Sequence, residues 1–468
     1  MTGLLTSIDG MPAALRRPGY DRAALRPGIL HLGPGAFFRA HLAAYTDEVA
    51  DTDWGILTGG LRNGDAAQRF DAQNGLYTLL TRGASGTTAL VVGSVLGGVA
   101  PGDLLAWMCD PSIRIVSLTI TEKAYGLHPA TGGLDVEHPA IAADLTRPDQ
   151  PQSAVGLIAA ALGRRRAVGI APFTPLSCDN LPGNGHVLQK LVTEFAAGHD
   201  AELADWIAAE VAFPCTMVDR ITPASNQTTL DDAAQATGHT DLLAVETEPF
   251  RQWVIEDRFV AERPDWDRAG ALFVDDVAPY EKMKLRMLNG THSLLAYRGF
   301  LAGYDYVRDA IADPEILSAA QTHLALAATT LDPVPGVDPA RYAEQLLERF
   351  ANRAILHRNA QIAGDGTAKL PQRVFDPALE LLARGAQAGS YAGILAAWMR
   401  YAIGKQGTRT WPLNDPREAQ IREALAGVSD DAGAISAALF ALPEFIPERL
   451  SHNSEWRAEV VRALSAFH

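Results

Sequence analysis

The apolar run Gly28-Ile29-Leu30-His31-Leu32 stops at Gly33-Pro34-Gly35, and beyond it Phe38, Leu42, Tyr45 and Val49 recur at intervals of four, three and four residues. A short run closed by turn residues predicts a strand, and the later spacing lines four apolar side chains along one face of a helix. Residues 54–60 predict a second strand and the β-branched stretch 114–121 a third. Between them, 76–81 and 88–96 flank Gly83 and Gly86 and predict an inserted hairpin. Strand-to-loop segments follow at 167–180 and 211–220. Strands alternating with helices imply a largely parallel sheet. From Pro279 onward the period changes: 283–301, 316–330 and 342–354 predict helices, with loops at 333–339 and 364–371. The expected architecture is α/β. A dinucleotide-binding Rossmann-type domain over 1–275 precedes a mainly α-helical substrate and catalytic domain over 276–468.

Composition narrows the function classes. With 468 residues, 47% of them hydrophobic, the chain can bury ordinary globular cores, so a disordered or fibrous protein is excluded. Against 40 Lys+Arg stand 55 Asp+Glu, a formal charge of −15, and no basic stripe interrupts it, which argues against nucleic acid as a partner. Cys109, Cys178 and Cys215 are odd in number and lack CxxC spacing, so neither a disulfide framework nor a zinc cluster is expected. Residues 1–17 lack the pattern of an export signal, and no stretch reaches ~18 uninterrupted apolar residues. The expectation is a cytoplasmic protein with a small-molecule partner and no membrane or metal.

The chemistry begins at the glycine turn. Gly33, Pro34, Gly35, Ala36 and Phe37 join a strand to a helix, the context in which two glycines allow a tight turn and let a pyrophosphate approach the helix N-terminus. A third glycine, which serves close helix-to-strand packing, is replaced by Phe38. A purely structural turn stays open as the alternative. The acidic ribose partner expected after the second strand is not at its usual place; Asp65 fits an NAD ribose and Arg62 an NADP phosphate, so NADP is not excluded.

A second candidate segment is Tyr280-Glu281-Lys282-Met283-Lys284-Leu285-Arg286-Met287-Leu288-Asn289-Gly290-Thr291-His292. Asn289 and His292 lie three residues apart on one side of an apolar helix pattern, with Lys284 before them. Read without further context, Lys284 extends to solvent and His292 is a hydrogen-bonded core histidine.

Lys284, Asn289 and His292, together with Glu122-Lys123-Ala124-Tyr125-Gly126, Ser177-Cys178-Asp179-Asn180, Met217-Val218-Asp219-Arg220-Ile221 and Gly33-Pro34-Gly35, resemble the motifs of the mannitol dehydrogenase family of long-chain polyol dehydrogenases, in the same order along nearly the whole chain. The resemblance implies an NAD-dependent, metal-independent dehydrogenase. In it Lys284 is the general base, Asn180 and Asn289 polarise the reacting oxygen, and His292 positions the substrate. Glu122 matches a carboxylate linked to proton passage and Asp219 one beside the substrate. The stretch from Glu122 to Asp135 looks closest to fructuronate reductases (mannonate oxidoreductases), although Ala124 stands where that motif usually has glycine. Mannitol 2-dehydrogenases and arabinitol dehydrogenases are similar enough to remain alternatives. A sugar acid needs a cation for its carboxylate; Lys369 and Arg373 are the candidates, or else solvated loop charges.

Elementary chemistry constrains these roles. A free lysine titrates at ~10.4, so base catalysis near neutrality needs a depressed pKa. Eight residues of straight helix span ~12 Å, so Lys284 and His292 reach one substrate only if the helix begins close to Lys284. Three other readings are open. Tyr280 and Lys284 form the Tyr-x3-Lys pair of short-chain dehydrogenases, but Pro279 reads as a helix start. A zinc-dependent polyol dehydrogenase requires a Cys/His/Glu ligand set that the spacing does not reveal. A non-catalytic NAD-sensing protein would keep the fold without turnover.

Overall fold

In the strand Pro27–Leu32, Ile29, Leu30 and Leu32 are fully buried because the strand is the centre of a five-stranded sheet and has no face left for water. Gly55–Gly59 and then Val95–Gly98 pair on one side of it, Ile115–Leu118 and then Thr174–Ser177 on the other, all in parallel. The order is that of a Rossmann-type sheet. It reverses between the first and fourth strands, which leaves a crevice at the carboxyl ends of Pro27–Leu32 and Ile115–Leu118. Alternate side chains feed two cores: Leu30, Leu32, Val116 and Leu118 pack with the helices Ala154–Ala167, Asn184–Ala197 and Ala201–Glu210, while Ile29, Ile56, Ile115 and Leu176 pack with Leu42–Val49 and Trp253.

The chain divides into two units, Met1–Ala278 and Pro279–His468, and the computed structural model describes residues 2–13, 15–49, 52–128 and 131–467. Pro129 and Ala130, part of the stretch compared with fructuronate reductases, lie outside the described residues. Among the described residues no helix is long and apolar enough to cross a membrane.

Several local expectations need correction. The hairpin exists as Tyr77–Gly83 with Gly86–Val92, but Val95 and Leu96 belong to a separate strand of the parallel sheet. The helix after the glycine turn breaks at His41, whose φ of −119° and ψ of −95° separate Ala36–Ala40 from Leu42–Val49. Most of 167–180 is not strand: Ala167 ends a helix and only Thr174–Ser177 pairs. The segment 211–220 contributes Thr216–Asp219, which pairs antiparallel with Gln252–Glu256 in a separate three-stranded sheet.

The second unit is built around Gly290–Leu301, in which every residue but Arg298 is buried, because Pro314–Ala328, Asn359–Ala363 and Gly389–Ala402 pack around it. The loop expected at 364–371 is largely helical: Gly366–Leu370 runs into a π-helical turn, Pro371–Phe375, closed by the Asp376 N–H to the Pro371 carbonyl. Proline at the first position of that turn removes only a donor that the turn does not use, so its presence misled the sequence reading.

Candidate active site

The glycine turn lies at the sheet's reversal point. Gly33 adopts φ +91°, and a Cβ there would lie 2.2 Å from the Thr119 carbonyl oxygen, so only hydrogen fits between the two strand ends. Gly35 donates to the Gly33 carbonyl at 2.7 Å. A Cβ on Gly35 itself would meet nothing nearer than 3.9 Å, so that face of the turn is open. Ala36, Phe37 and Phe38 follow as the first helical turn, whose N–H groups have no partner within the helix. These features fit a pyrophosphate. Phe38 stacks on His31 at 3.8 Å, which explains the missing third glycine: an aromatic pair replaces close backbone packing between helix and strand. His31 is bonded to Ser117 at 2.9 Å and Thr119 at 3.0 Å, and burial pushes its pKa down to about 3.

Glu122 follows immediately on a strained residue. Thr121 has φ 70° and ψ 152°, a conformation that costs a side-chain-bearing residue about 1–3 kcal/mol. Asp179 holds it there: its carboxylate accepts from Ile120 N at 3.0 Å, Thr121 N at 2.9 Å and the Tyr125 hydroxyl at 2.7 Å. Burial raises the Asp179 pKa, and the bonds from Tyr125 and the two amides oppose that rise. Asp179 was visible in its motif, but its role depends on contact with a loop some 58 residues away in sequence. Glu122 is exposed, and so is Asn180, the residue after Asp179. Asn184, at the start of the next helix, ties this region together by donating to the carbonyls of Asp179 and Thr216 at 3.0 and 2.9 Å. Asp219 is buried at the end of its strand, opposite Gln252. Asp65 and Arg62 are exposed after Gly55–Gly59, and Asp65 opens the helix Asp65–Ala72.

Among the described residues the fold also assembles a set of metal-type donors that the spacing did not reveal. His186, Cys215 and Glu256 bring ligand atoms within 4.8 Å of one another. They come from a helix start, the residue before a strand and the end of its partner strand, so no local motif joins them. Glu256 already accepts from Cys215 N at 3.0 Å and Arg258 at 3.1 Å, partners that account for its burial.

In the second unit the helix does not begin close to Lys284. Ala278–Met283 precedes it, and Lys284–Asn289 forms a π-helical turn before the α-helix resumes at Gly290. The Gly290 N–H bonds to the Leu285 carbonyl, the five-residue step that defines such a turn. On an α-helix residues five apart point roughly 140° from each other; a turn closed five residues on brings them toward one face. The wider turn therefore brings Lys284 and Asn289 toward one face, while His292 lies one turn further on, in Gly290–Leu301.

Three contacts hold the turn in place. The Arg286 carbonyl is met by His323 Nε2 at 3.3 Å and the Asn289 carbonyl by Arg373 at 3.3 Å. On the other side the Arg286 guanidinium forms a bidentate pair with Glu380 at 2.7 and 2.5 Å. A Cβ on Gly290 would lie 2.6 Å from His323 Nε2, so glycine is what admits the histidine. A lone glycine inside an apolar helix pattern was the only trace of this turn in the sequence.

Asn289 Nδ2 and His292 Nε2 are buried without a hydrogen-bond partner, while Lys284 alongside is half-buried. The His292 ring lies 4.8 Å from Phe350 and 5.1 Å from His357. Burial first, and then His357 and the cations Arg373, Arg349 and Lys284, hold its pKa well below 6.5. Arg373 also donates to Ser293 Oγ at 3.2 Å, and Lys369 donates to the carbonyls of Ile362 and Gly364 at 3.1 and 2.6 Å.

These shielded imidazoles make the protein sensitive to acid. His31 and His41 are pushed down to about 3, His323 and His357 to about 4, and His292 well below its ordinary value, each chiefly by burial. An unfolded histidine binds its proton at about pH 6.5, so below that the unfolded chain takes up protons that the folded chain refuses. Stability is therefore lost progressively as pH falls from about 6.5 toward 4. Thermal midpoints taken between pH 7.5 and 4.5 should show a steep decline; a flat profile would contradict neutral burial of these rings.

Both units have counterparts among known proteins. Residues 27–268 match the mannitol dehydrogenase Rossmann domain and residues 276–468 the mannitol dehydrogenase C-terminal domain. An uncharacterized oxidoreductase, YdfI, of Escherichia coli strain K12 is 44% identical over 95% of this chain and 93% of its own length. D-mannonate oxidoreductase from the same strain is 45% identical over 86% of this chain and 85% of its own. The solved Pseudomonas fluorescens mannitol 2-dehydrogenase, a ternary complex with NAD and D-mannitol, superimposes with a TM-score of 0.88 at 37% identity, covering 100% of this chain and 96% of the other. With a glycine turn at the sheet reversal, a lysine–asparagine–histidine turn in the helical unit and both domain models matched in order, the chain belongs to the mannitol dehydrogenase family of oxidoreductases.

Proposed function

We propose that this protein catalyses the NAD-dependent, reversible oxidation of a secondary alcohol on an open-chain sugar acid to the ketone, with D-mannonate and D-fructuronate as the pair. The observation that carries the reading is the π-helical turn and the helix that follows it, where Asn289 Nδ2 and His292 Nε2 are buried without partners and Lys284 opens the turn. Leaving such groups unpaired costs about 1–3 kcal/mol each, a cost that a bound hydroxyl or carbonyl oxygen removes.

In this reading Gly33, Pro34, Gly35, Ala36 and Phe37 hold the NAD pyrophosphate, and Asp65 serves its ribose. NAD, when bound, accepts the hydride from the carbinol carbon. The neutral Lys284 amine takes the hydroxyl proton, and Glu122, which is exposed, passes it to solvent. The Asn289 and Asn180 amides donate to the oxygen while it carries negative charge, so the residues themselves supply the stabilisation that a metal would otherwise give. His292 orients the substrate as a neutral ring, and Asp219 lies beside the substrate. Cys109, Cys178 and Cys215 are free thiols, which supports a reducing cytoplasm.

A sugar acid is favoured by the 45% identity to D-mannonate oxidoreductase and by the cations Lys369 and Arg373. The fit to a complex holding D-mannitol favours the second reading, a mannitol 2-dehydrogenase. A panel of mannonate, mannitol, arabinitol and sorbitol with NAD or NADP, run after exhaustive chelation, decides between them. Mannonate should reduce NAD without added metal. Activity lost to EDTA and restored by zinc would discard the metal-free mechanism and turn attention to His186, Cys215 and Glu256. Lys369→Ala should cost mannonate oxidation about 1.5–3 kcal/mol and spare mannitol. Equal losses on both would reduce Lys369 to its contacts with Ile362 and Gly364.

A further inference from the structure

The site proposed above leaves a further buried polar atom beside it unexplained. Asn289 Nδ2, His292 Nε2 and His357 Nδ1 are all buried without a hydrogen-bond partner. The first two belong to the lysine–asparagine–histidine segment. His357 comes from a different segment, between the helices Pro339–Phe350 and Asn359–Ala363, and its ring stands 5.1 Å from that of His292 at an interplanar angle of 83°. Native proteins retain few such orphaned atoms, because each forfeits the bonds it made with water. This one is not a loose surface group: the His357 carbonyl accepts the Val307 N–H at 3.0 Å, which fixes the backbone that carries the ring. Nor is the residue sealed in the core, since it is only half-buried as a whole. Burial and nearby Lys369 keep the imidazole uncharged, so it offers one N–H donor and one lone pair. That donor and acceptor pair matches an alcohol hydroxyl.

We infer that His357 is a further substrate-contacting residue, its imidazole meeting a hydroxyl of the open-chain substrate next to the position that His292 serves. The inference rests on the dehydrogenase reading above. It explains why two rings, each with a buried nitrogen that has no hydrogen-bond partner, stand against each other: together they bind successive oxygens of a polyhydroxylated chain.

The test uses the full-length protein and the variants His357→Phe, His357→Asn and His357→Gln, with kinetics on the best substrate of the panel, NADH titration and thermal midpoints without ligand. His357→Phe should raise KM by about 10-fold to 100-fold, the effect of leaving a buried polar group unmatched in the complex, with NADH affinity unchanged. Its midpoint without substrate should hold or rise, because the orphaned atom is gone. His357→Asn, whose amide lies about where Nδ1 does, should recover most of the loss, and His357→Gln should not. A lower midpoint with native KM would make His357 a structural residue and overturn the inference; so would equal rescue by Asn and Gln. If the native protein turned over none of the four substrates, the dehydrogenase reading itself would fail. The midpoint would still decide on His357, since a fall in His357→Phe assigns the ring to the fold.

Discussion

Lys284→Met should fold, bind NADH and lose turnover by about 10²–10⁴-fold, the usual worth of a general acid or base. Methionine keeps much of the volume and apolar stem of lysine but cannot take a proton. The structure sharpens the comparison with the neighbouring histidine. His292 is held neutral by burial and by surrounding cations, so its own proton equilibrium lies well to the acid side of any alkaline limb in the rate profile. Oxidation by the native enzyme should therefore rise with pH, His292→Ala should keep that limb at a lower rate, and Lys284→Met should abolish it. Because Arg286, Arg373 and His323 hold the π-helical turn independently of the lysine side chain, the variant should melt close to the native protein. Near-native turnover in Lys284→Met, or a limb that disappears with His292 instead, would move the base to the histidine.

The second large effect separates two glycines two residues apart. Gly33→Ala places a Cβ 2.2 Å from the Thr119 carbonyl at a φ of +91°, so the two central strand ends must part. Backbone strain alone costs about 1–2 kcal/mol and the clash adds to it, so the thermal midpoint should drop by several degrees along with cofactor binding. A Cβ on Gly35 meets nothing closer than 3.9 Å, so Gly35→Val should leave the midpoint close to native. Yet the branched side chain stands on the open face of the turn, and NADH affinity should fall. Unchanged NADH binding in Gly35→Val would place the phosphates elsewhere, and a native midpoint in Gly33→Ala would contradict the close approach of the two strands.

Much of this fold is written locally. Buried parallel strands read as apolar runs because both of their faces are covered, which is why 28–32 stood out, and glycines followed by a helical stripe mark the turn above them. The shift from short runs to long helical periods announced a mainly helical second part, because period depends only on which side chains must face inward. Val95–Gly98 escaped notice because it is short and lies only two residues beyond a hairpin strand, so one apolar stretch served two sheets. The segment bearing Lys284, Asn289 and His292 stood out as polar residues in an apolar helix pattern, but on that pattern alone it read as a solvated lysine and a core histidine, and only the family resemblance gave it a chemical role.

What the sequence could not express is decided by contacts between distant segments. The π-helical turn exists because His323, Arg373 and Glu380, from three other helical segments, satisfy the carbonyls and the arginine that a wider turn sets loose. Thr121 is held in a strained conformation by Asp179, and His357 reaches His292 only through the packing of the helical unit. Helical periodicity records which residues are inside. A hydrogen-bond debt left by an irregular turn is settled wherever a partner arrives in space, and spacing along the chain carries no trace of that partner.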